Sequence, residues 1–263
     1  QSIRQNVLFN GNCETDNTDF DNYLKRLGYK FKNENFEVGG YVILKNKKTI
    51  LAMDIGSSPE KKFSSNYQSG ALSFEITSGE KKLICNSGYF KNFKHQLNDI
   101  SKSTATQSTL VIDNQSSCKL RKQENGYSRI ERGLKKSIVF EKNYWSIGSA
   151  HDGYVKQFGI IHDRQIEFFP ENNKFIGYDK LIKKRNFKSS NFEIRFHLEP
   201  NIKIMKTQDG KSIFIGLNNE GWKFTCANHK FDIETGLYFG NKNSYTENQN
   251  ICISGMTQNE NQT

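Results

Sequence analysis

The sequence predicts an all-β protein, a large antiparallel β-sandwich with little helix, and three observations predict it. From Phe36 onward, short runs rich in β-formers alternate with turn residues about every 8 to 12 positions, without the strand–helix alternation of a parallel sheet. In the run FEIRFHL, apolar Phe192, Ile194, Phe196 and Leu198 alternate with polar Glu193, Arg195 and His197, as a half-buried strand requires. The prolines, Pro59, Pro170 and Pro200, each fall at the end of a run, where a missing N–H costs no ladder bond.

The elements follow in order. Residues Asp19 to Lys30 place Phe20, Tyr23, Leu24 and Leu27 near helical spacing, but Gly28 and the short length limit this to a peripheral turn or two. Tyr41–Leu44 and Thr49–Ile55 flank the polar tetrapeptide KNKK and read as a hairpin. Leu72–Thr77 and Lys82–Cys85 flank Ser78-Gly79-Glu80, a second hairpin with glycine available for positive φ. Asn125-Gly126, Asp152-Gly153, Asp209-Gly210 and the stretch Asn218 to Gly221 mark further turns between runs such as KSIFIGL and WKFTC. The tail Thr257 to Thr263 has nothing to bury and is expected to fray. No fixed-period repeat and no Gly/Ser- or Pro-rich linker divides the chain, so one continuous β domain is the economical reading.

Composition narrows the function. With 35% hydrophobic and 13% aromatic residues among 263, the chain can build a core, which excludes wholesale disorder. No apolar run approaches the roughly 18 residues that span a bilayer. Lys and Arg number 38 against 28 Asp and Glu, a net charge of +10 that favours an anionic partner. Nucleic acid, an acidic polysaccharide and a membrane surface all fit that charge, as does a plain solvated basic surface. No nucleic-acid recognition motif accompanies it, so nucleic acid is not the expected partner.

Cys13, Cys85, Cys118, Cys226 and Cys252 are odd in number and scattered, with no C-x-x-C pair, so neither a disulfide framework nor a structural zinc site is signalled. The chain opens on Gln1 with no charged n-region and apolar h-region, which reads as a processed or partial polypeptide. There is no G-x-S-x-G elbow, Walker-type loop or H-E-x-x-H pair.

Two stretches could carry chemistry. STATQSTLVID, Ser103 to Asp113, feeds small hydroxyl residues into a strand and leaves room above a sheet for a ligand. The alternative is an ordinary edge strand with its hydroxyls facing water. Its Gln107 can donate and accept hydrogen bonds but takes no proton near neutral pH. GSAHDGYVKQFGIIHDR, Gly148 to Arg164, holds two of the five histidines, two aspartates and Tyr154, the side-chain types of acid/base and metal chemistry. The alternative for His151 is a turn cap before Asp152-Gly153. His197, on the polar face of its strand, and His229, in the turn ANHK, read as structural.

Taken together, AMDIGSSP, SGALSFEITSGEKKLICNSG, STATQSTLVID, SAHDGYVKQFGIIHDR, FEIRFHLEPNI, EGWKF and ICISG resemble the C-terminal region of the heparinase II/III family of polysaccharide lyases, in matching order over roughly Val38 to Met256. The resemblance implies a two-part protein, an N-terminal helical toroid packed on a C-terminal antiparallel sandwich with the glycan cleft between them, of which this chain carries the second part. It implies residues 1–35 as the connection from a missing helical domain, 36–256 as the sandwich and 257–263 as a tail. The implied partner is an acidic, uronate-containing polysaccharide such as a glycosaminoglycan or alginate, the implied location the periplasm, the cell envelope or the exterior.

The family reaction is β-elimination: the substrate carboxylate is neutralised, a base removes the C5 proton and an acid protonates the leaving oxygen. Most of those groups come from the helical half, so the isolated chain is expected to be inactive. The sandwich of the family contributes a histidine to the cleft, and Gln107 stands at its place. Proton transfer is then left to the helical half, or Gln107 only hydrogen-bonds a carboxylate, or activity is lost. The resemblance places Gln107, Tyr154 and Arg164 against substrate. It gives His151 a role near a divalent metal, zinc or calcium, with Asp113 and Glu124 as carboxylates near enough in sequence to join it. A non-catalytic sandwich that binds anionic polysaccharide is the competing reading.

Overall fold

The computed structural model describes residues 7–12, 18–29, 36–60, 63–118, 120–121, 126–127, 134–241 and 244–257. A helix, α1 (Thr18–Arg26), precedes the first sheet, with acidic Asp19 and Asp21 in its first turn and Lys25 and Arg26 in its last, the polarity that suits a helix dipole. It is longer than the turn or two expected from Asp19–Lys30. The first sheet runs in sequence order through β1 (Phe36–Val38), β2 (Tyr41–Lys45), β3 (Thr49–Asp54), β4 (Phe74–Ser78) and β5 (Lys81–Ile84), all antiparallel.

Both expected hairpins form here for local reasons. Asn46 Oδ1 accepts the N–H groups of Lys48 (2.8 Å) and Thr49 (2.7 Å) and folds the turn between β2 and β3. Gly79, at φ +60°, turns β4 into β5.

A short helix, α2 (Gln96–Ser101), follows, then β6 (Leu110–Ile112) and the two-stranded ribbon β7 (Leu120–Arg121) and β8 (Gly126–Tyr127). Gly126 thus opens β8, while Asn125 lies outside the described residues. The next sheet has the order β12-β11-β10-β9, built from β9 (Lys136–Phe140), β10 (Trp145–His151), β11 (Ile160–Phe169) and β12 (Lys174–Lys183). Asp152-Gly153 does not make a simple hairpin turn. It leads into one helical turn, α3 (Val155–Phe158), closed by Gly159 at φ +68°. A Cβ on Gly159 would lie 2.5 Å from the backbone of Asn186 and Phe187, so only glycine fits.

β13 (Asn191–His197) lies between β18 (Thr246–Met256) and β6, with β17 (Lys230–Tyr238) outside β18. β14 (Lys203–Lys206), β15 (Ile213–Leu217) and β16 (Glu220–Phe224) form a three-stranded sheet whose turns carry Gly210 at φ +68° and Asn218 at φ +44°.

The four larger sheets share one core. Leu51 and Met53 from the first, Ile147 and Phe168 from the second, Ile194 and Ile251 from the third and Ile213 from the fourth are buried in a single cluster. β11 shows how the core is specified: Ile160, His162, Arg164, Ile166 and Phe168 point inward at every second position, while Asp163, Gln165 and Glu167 point outward.

Burial reaches further than expected at three places. On the polar face of FEIRFHL, Glu193 and Arg195 are half-buried and His197 is buried. Thr257 is held, its N–H donating to Ser190 O (2.8 Å) and its side chain buried, and the rest of the expected tail, 258–263, lies outside the described residues. Leu8 and Phe9, placed in a connecting segment, are buried too, Leu8 against Cys85 and Tyr238.

Candidate functional site

The run Ser103 to Asp113 is neither an edge strand with wet hydroxyls nor an open ligand floor. Only Leu110–Ile112 is strand, Thr104–Thr106 is a 3₁₀ turn, and Thr104, Thr106, Gln107, Ser108 and Thr109 are all buried. Each short hydroxyl fastens the run to a neighbour. Thr104 Oγ1 donates to Ser69 O (2.7 Å), Ser108 Oγ to Cys85 O (2.6 Å) and Thr109 Oγ1 to Ala71 O (3.0 Å). Buried hydroxyls need such partners, and residues this small let two backbone segments approach closely enough to supply them.

Gln107 sits where the segments meet. Its Nε2 donates to Thr106 Oγ1 (3.1 Å), and its Oε1 lies so close to Gly70 that a Cβ there would be 3.1 Å away. Ser69 Oγ, Ser73 Oγ and Asn86 Nδ2, buried in the same seam, have no hydrogen-bond partner among the described residues. The seam therefore carries spare polar capacity beside the Gln107 amide.

His197 closes the seam from β13. Its Nε2 donates to Ala105 O (3.1 Å), which fixes the tautomer and makes Nδ1 the acceptor for the Ser87 hydroxyl (3.1 Å). Burial, with Arg195 adding to it, brings its pKa down to about 4. It is a neutral strut at physiological pH.

Behind the seam, strand register assembles a second polar group. His151 on β10 faces His162 on β11, and Arg164 on β11 faces Asp179 on β12. The Gly153 N–H donates to His151 Nδ1 (3.1 Å), so the ring proton is on Nε2, directed at His162 Nδ1 (3.3 Å). His162 Nε2 then donates to Asp179 Oδ1 (2.6 Å). Arg164 grips the same carboxylate through Nε (2.7 Å) and Nη2 (3.1 Å), and its Nη1 reaches Leu72 O (3.0 Å) and Ser108 O (2.8 Å). One guanidinium thus ties the second sheet to both segments that frame Gln107.

The electrostatics follow from burial and this order. Desolvation, the facing His162 and Arg164 all push His151 well below the ordinary histidine range. Burial also lowers His162, with Asp179 acting in the opposite direction. Burial opposes ionisation of Asp179, but Arg164 and His162 outweigh it and hold the carboxyl well below the usual range.

The residues singled out in the sequence therefore fall in one contiguous buried network. Gln107 and Arg164 are linked through the backbone of Ser108, and His151 joins Arg164 through His162 and Asp179. Tyr154 packs against His151 (ring centroids 5.6 Å) and donates to Leu110 O (2.8 Å). All four side chains are buried, with their hydrogen bonds directed into the fold. Asp113 is exposed and accepts from Asn191 N (2.8 Å), and Glu124 lies outside the described residues. Sequence reading missed Gly70, Asp179 and the pairing role of His162. The signal for the last two was the register of neighbouring strands, which puts each pair directly opposite.

The donors around His151 do not suit a cation. One ring nitrogen accepts a backbone N–H, the other is directed at His162, and Arg164 adds positive charge two residues further along β11. Among the described residues, Glu193, Glu234 and Cys252 come close enough together to be weighed as ligands. Arg195 already pairs with both carboxylates (2.6 and 3.3 Å), and the Cys252 thiol is pushed up to about 12, chiefly by burial. That cluster is an internal ion pair with a protonated thiol beside it.

A many-sheeted antiparallel sandwich with a polar seam through its core defines the class, an all-β domain. The family described as Heparinase II/III-like, C-terminal, matches residues 30–263, and the chain belongs to that family. Among solved structures, the heparan sulfate lyase HepC from Pedobacter heparinus superposes with a TM-score of 0.75 at 15% identity, over 98% of this chain and 42% of that one. A structure described as heparinase III-BT4657 gene product gives 0.75 at 14% identity with the same coverage, and one of heparinase III gives 0.72 at 16%, over 99% of this chain and 44% of that one. This chain thus spans about two fifths of their length. No curated protein sequence matches it.

Proposed function

We propose that this chain is the C-terminal sandwich part of a polysaccharide lyase acting on an acidic, uronate-containing glycan by β-elimination, and that it forms one wall of the cleft. The supporting observation is the match of residues 30–263 to the Heparinase II/III-like C-terminal family. Gln107, buried against Gly70, cannot move a proton. The groups that abstract the C5 proton and protonate the leaving oxygen belong, in this reading, to a helical part of the longer polypeptide. A glycan of this type, whether glycosaminoglycan or alginate, lies outside the cytoplasm, so the protein belongs in the periplasm, in the cell envelope or outside the cell.

A second reading has its own observation. Gln107 cannot titrate, and burial holds His151, His162 and His197 toward their neutral forms, with ring nitrogens engaged inside the fold. That favours a sandwich that binds anionic polysaccharide without turning it over. One experiment separates the two: Gln107→His in the full-length polypeptide, assayed for unsaturated uronate product on heparan sulfate and on alginate. Increased turnover is expected for the lyase. Retained glycan binding with no product from either form would establish the binding module, and robust product from residues 1–263 alone would overturn the assignment of proton transfer to another part.

A further inference from the structure

The loop after β5 combines features that the buried seam lacks: exposure, positive charge and an aromatic face. Its base is rigid. Phe90 is buried edge-on against Phe239 (centroids 6.0 Å), its N–H donates to Ser101 Oγ (3.1 Å), and its carbonyl accepts from Asn98 Nδ2 (2.5 Å). From that base Phe90, Lys91, Asn92, Phe93 and Lys94 line an open groove of about 590 Å³. Phe93 is 69% exposed, which leaves an aromatic face open to solvent.

Lys102, just past the end of α2, lies beside the groove, under the Phe93 ring. Its stem is buried, and its ammonium lies 5.7 Å from the ring centroids of both Tyr89 and Phe93. Burial lowers its pKa, with Asp99 acting in the opposite direction. An ammonium stripped of part of its water gains more from an incoming carboxylate or sulfate than a free surface lysine does. Between Tyr89 and Lys102, Lys91, Lys94 and Lys102 face Asp99 as the one carboxylate in the segment.

Hydrogen bonds tie the base of the loop to the seam. Ser69 N donates to Lys102 O (2.9 Å), and Gln68 Nε2 donates to both Ser101 O (2.6 Å) and Gly88 O (2.8 Å).

We infer that the Tyr89–Lys94 loop and Lys102 form a binding subsite for one or two residues of an acidic polysaccharide. The exposed face of Phe93 stacks on a sugar ring, and Lys102, flanked by Lys91 and Lys94, pairs with its carboxylate or sulfate. Sugar rings offer C–H faces to an aromatic plane, and the charge complementarity selects an anionic chain over a neutral one. The inference rests on the acidic-glycan reading above and deepens it by naming the residues that hold the chain.

The test is calorimetric titration of the 263-residue chain with size-defined heparan sulfate and alginate oligosaccharides, with dextran as uncharged control and single-stranded DNA as a second polyanion. Phe93→Ala, which removes an exposed ring, and Lys102→Gln are each expected to weaken oligosaccharide binding about tenfold with an unchanged melting temperature. Lys174→Gln, at an exposed lysine on β12, should leave it within about twofold. If the wild type binds the acidic glycans and both groove variants bind as tightly, the subsite is wrong while the glycan reading stands. If the wild type binds none of them, or binds DNA equally well, both are overturned.

Discussion

Asp54 shows what a single residue can contribute. It ends β3, is buried, and accepts the Gly56 N–H through Oδ1 (3.1 Å), with Tyr41 opposite it in register. Burial raises its pKa from 3.8 to about 7 against that hydrogen bond. A raised carboxyl pKa means that the fold prefers the protonated form. Its contribution is intact below the unfolded value and is lost as pH rises through about 7. At ~1.4 kcal/mol per unit, the linkage is at most about 4 kcal/mol. Asp54→Asn keeps the acceptor and removes the charge, so it should stabilise the protein at pH 8, and the advantage should vanish by pH 4. The measurement is urea unfolding across that range. His197 runs the other way: its pKa lies at about 4, below the ordinary histidine value, so its contribution is present at neutral pH and lost as pH falls toward 4. The variant separates the two, because a gap between wild type and Asp54→Asn that does not depend on pH would assign the neutral-range dependence elsewhere.

At the scale of elements, the hairpins were legible and the buried charges were not. The KNKK and Ser78-Gly79-Glu80 turns declare themselves because Asn46 and Gly79 do local work that few other residues can do. The run STATQSTLVID misleads because threonine is both a strand former and a small hydrogen-bonding group, and only the three-dimensional partner decides which property is used. Arg164 and His162 occupy core-facing positions of β11, where alternation predicts apolar residues. Their partners come from strands on either side and become visible only once register is known. The network should behave as a unit. Asp179→Asn leaves the Arg164 guanidinium buried without its counter-charge and should cost about 3 to 5 kcal/mol by chemical denaturation. Arg164→Met should cost a similar amount by releasing the Leu72 and Ser108 carbonyls as well. The double variant should lose clearly less than the sum, since each single change has already broken the shared pair. Strict additivity would mean that the two residues stabilise the seam independently.

For the whole molecule, the open question is where the sandwich begins. The family match starts at residue 30 and the first sheet at Phe36, which invites a boundary there. The packing places it earlier. Leu8 is fully buried with Cys85 and Tyr238, and its N–H donates to Glu75 Oε1 (3.0 Å), the carboxylate whose other oxygen pairs with buried Lys82 at 3.0 Å. Asn10 bonds the Tyr41 hydroxyl and accepts from Gln68 N (3.0 Å), and Gly11 N donates to Gln68 Oε1 (3.0 Å). Gln68 in turn holds the carbonyls beneath the basic loop, so residues 7–12 brace the same side of the sandwich that carries the proposed groove. Cutting the chain to residues 30–263 would therefore expose a buried ion pair and remove a core leucine together. That form should unfold at clearly lower denaturant than residues 1–263, and Leu8→Ala alone should cost about 2 to 5 kcal/mol. The shortened form should also bind acidic oligosaccharides more weakly, because the Gln68 anchor loses two of its partners. Equal stability and equal binding for the two lengths would reduce the segment to a connection and return the boundary to Phe36.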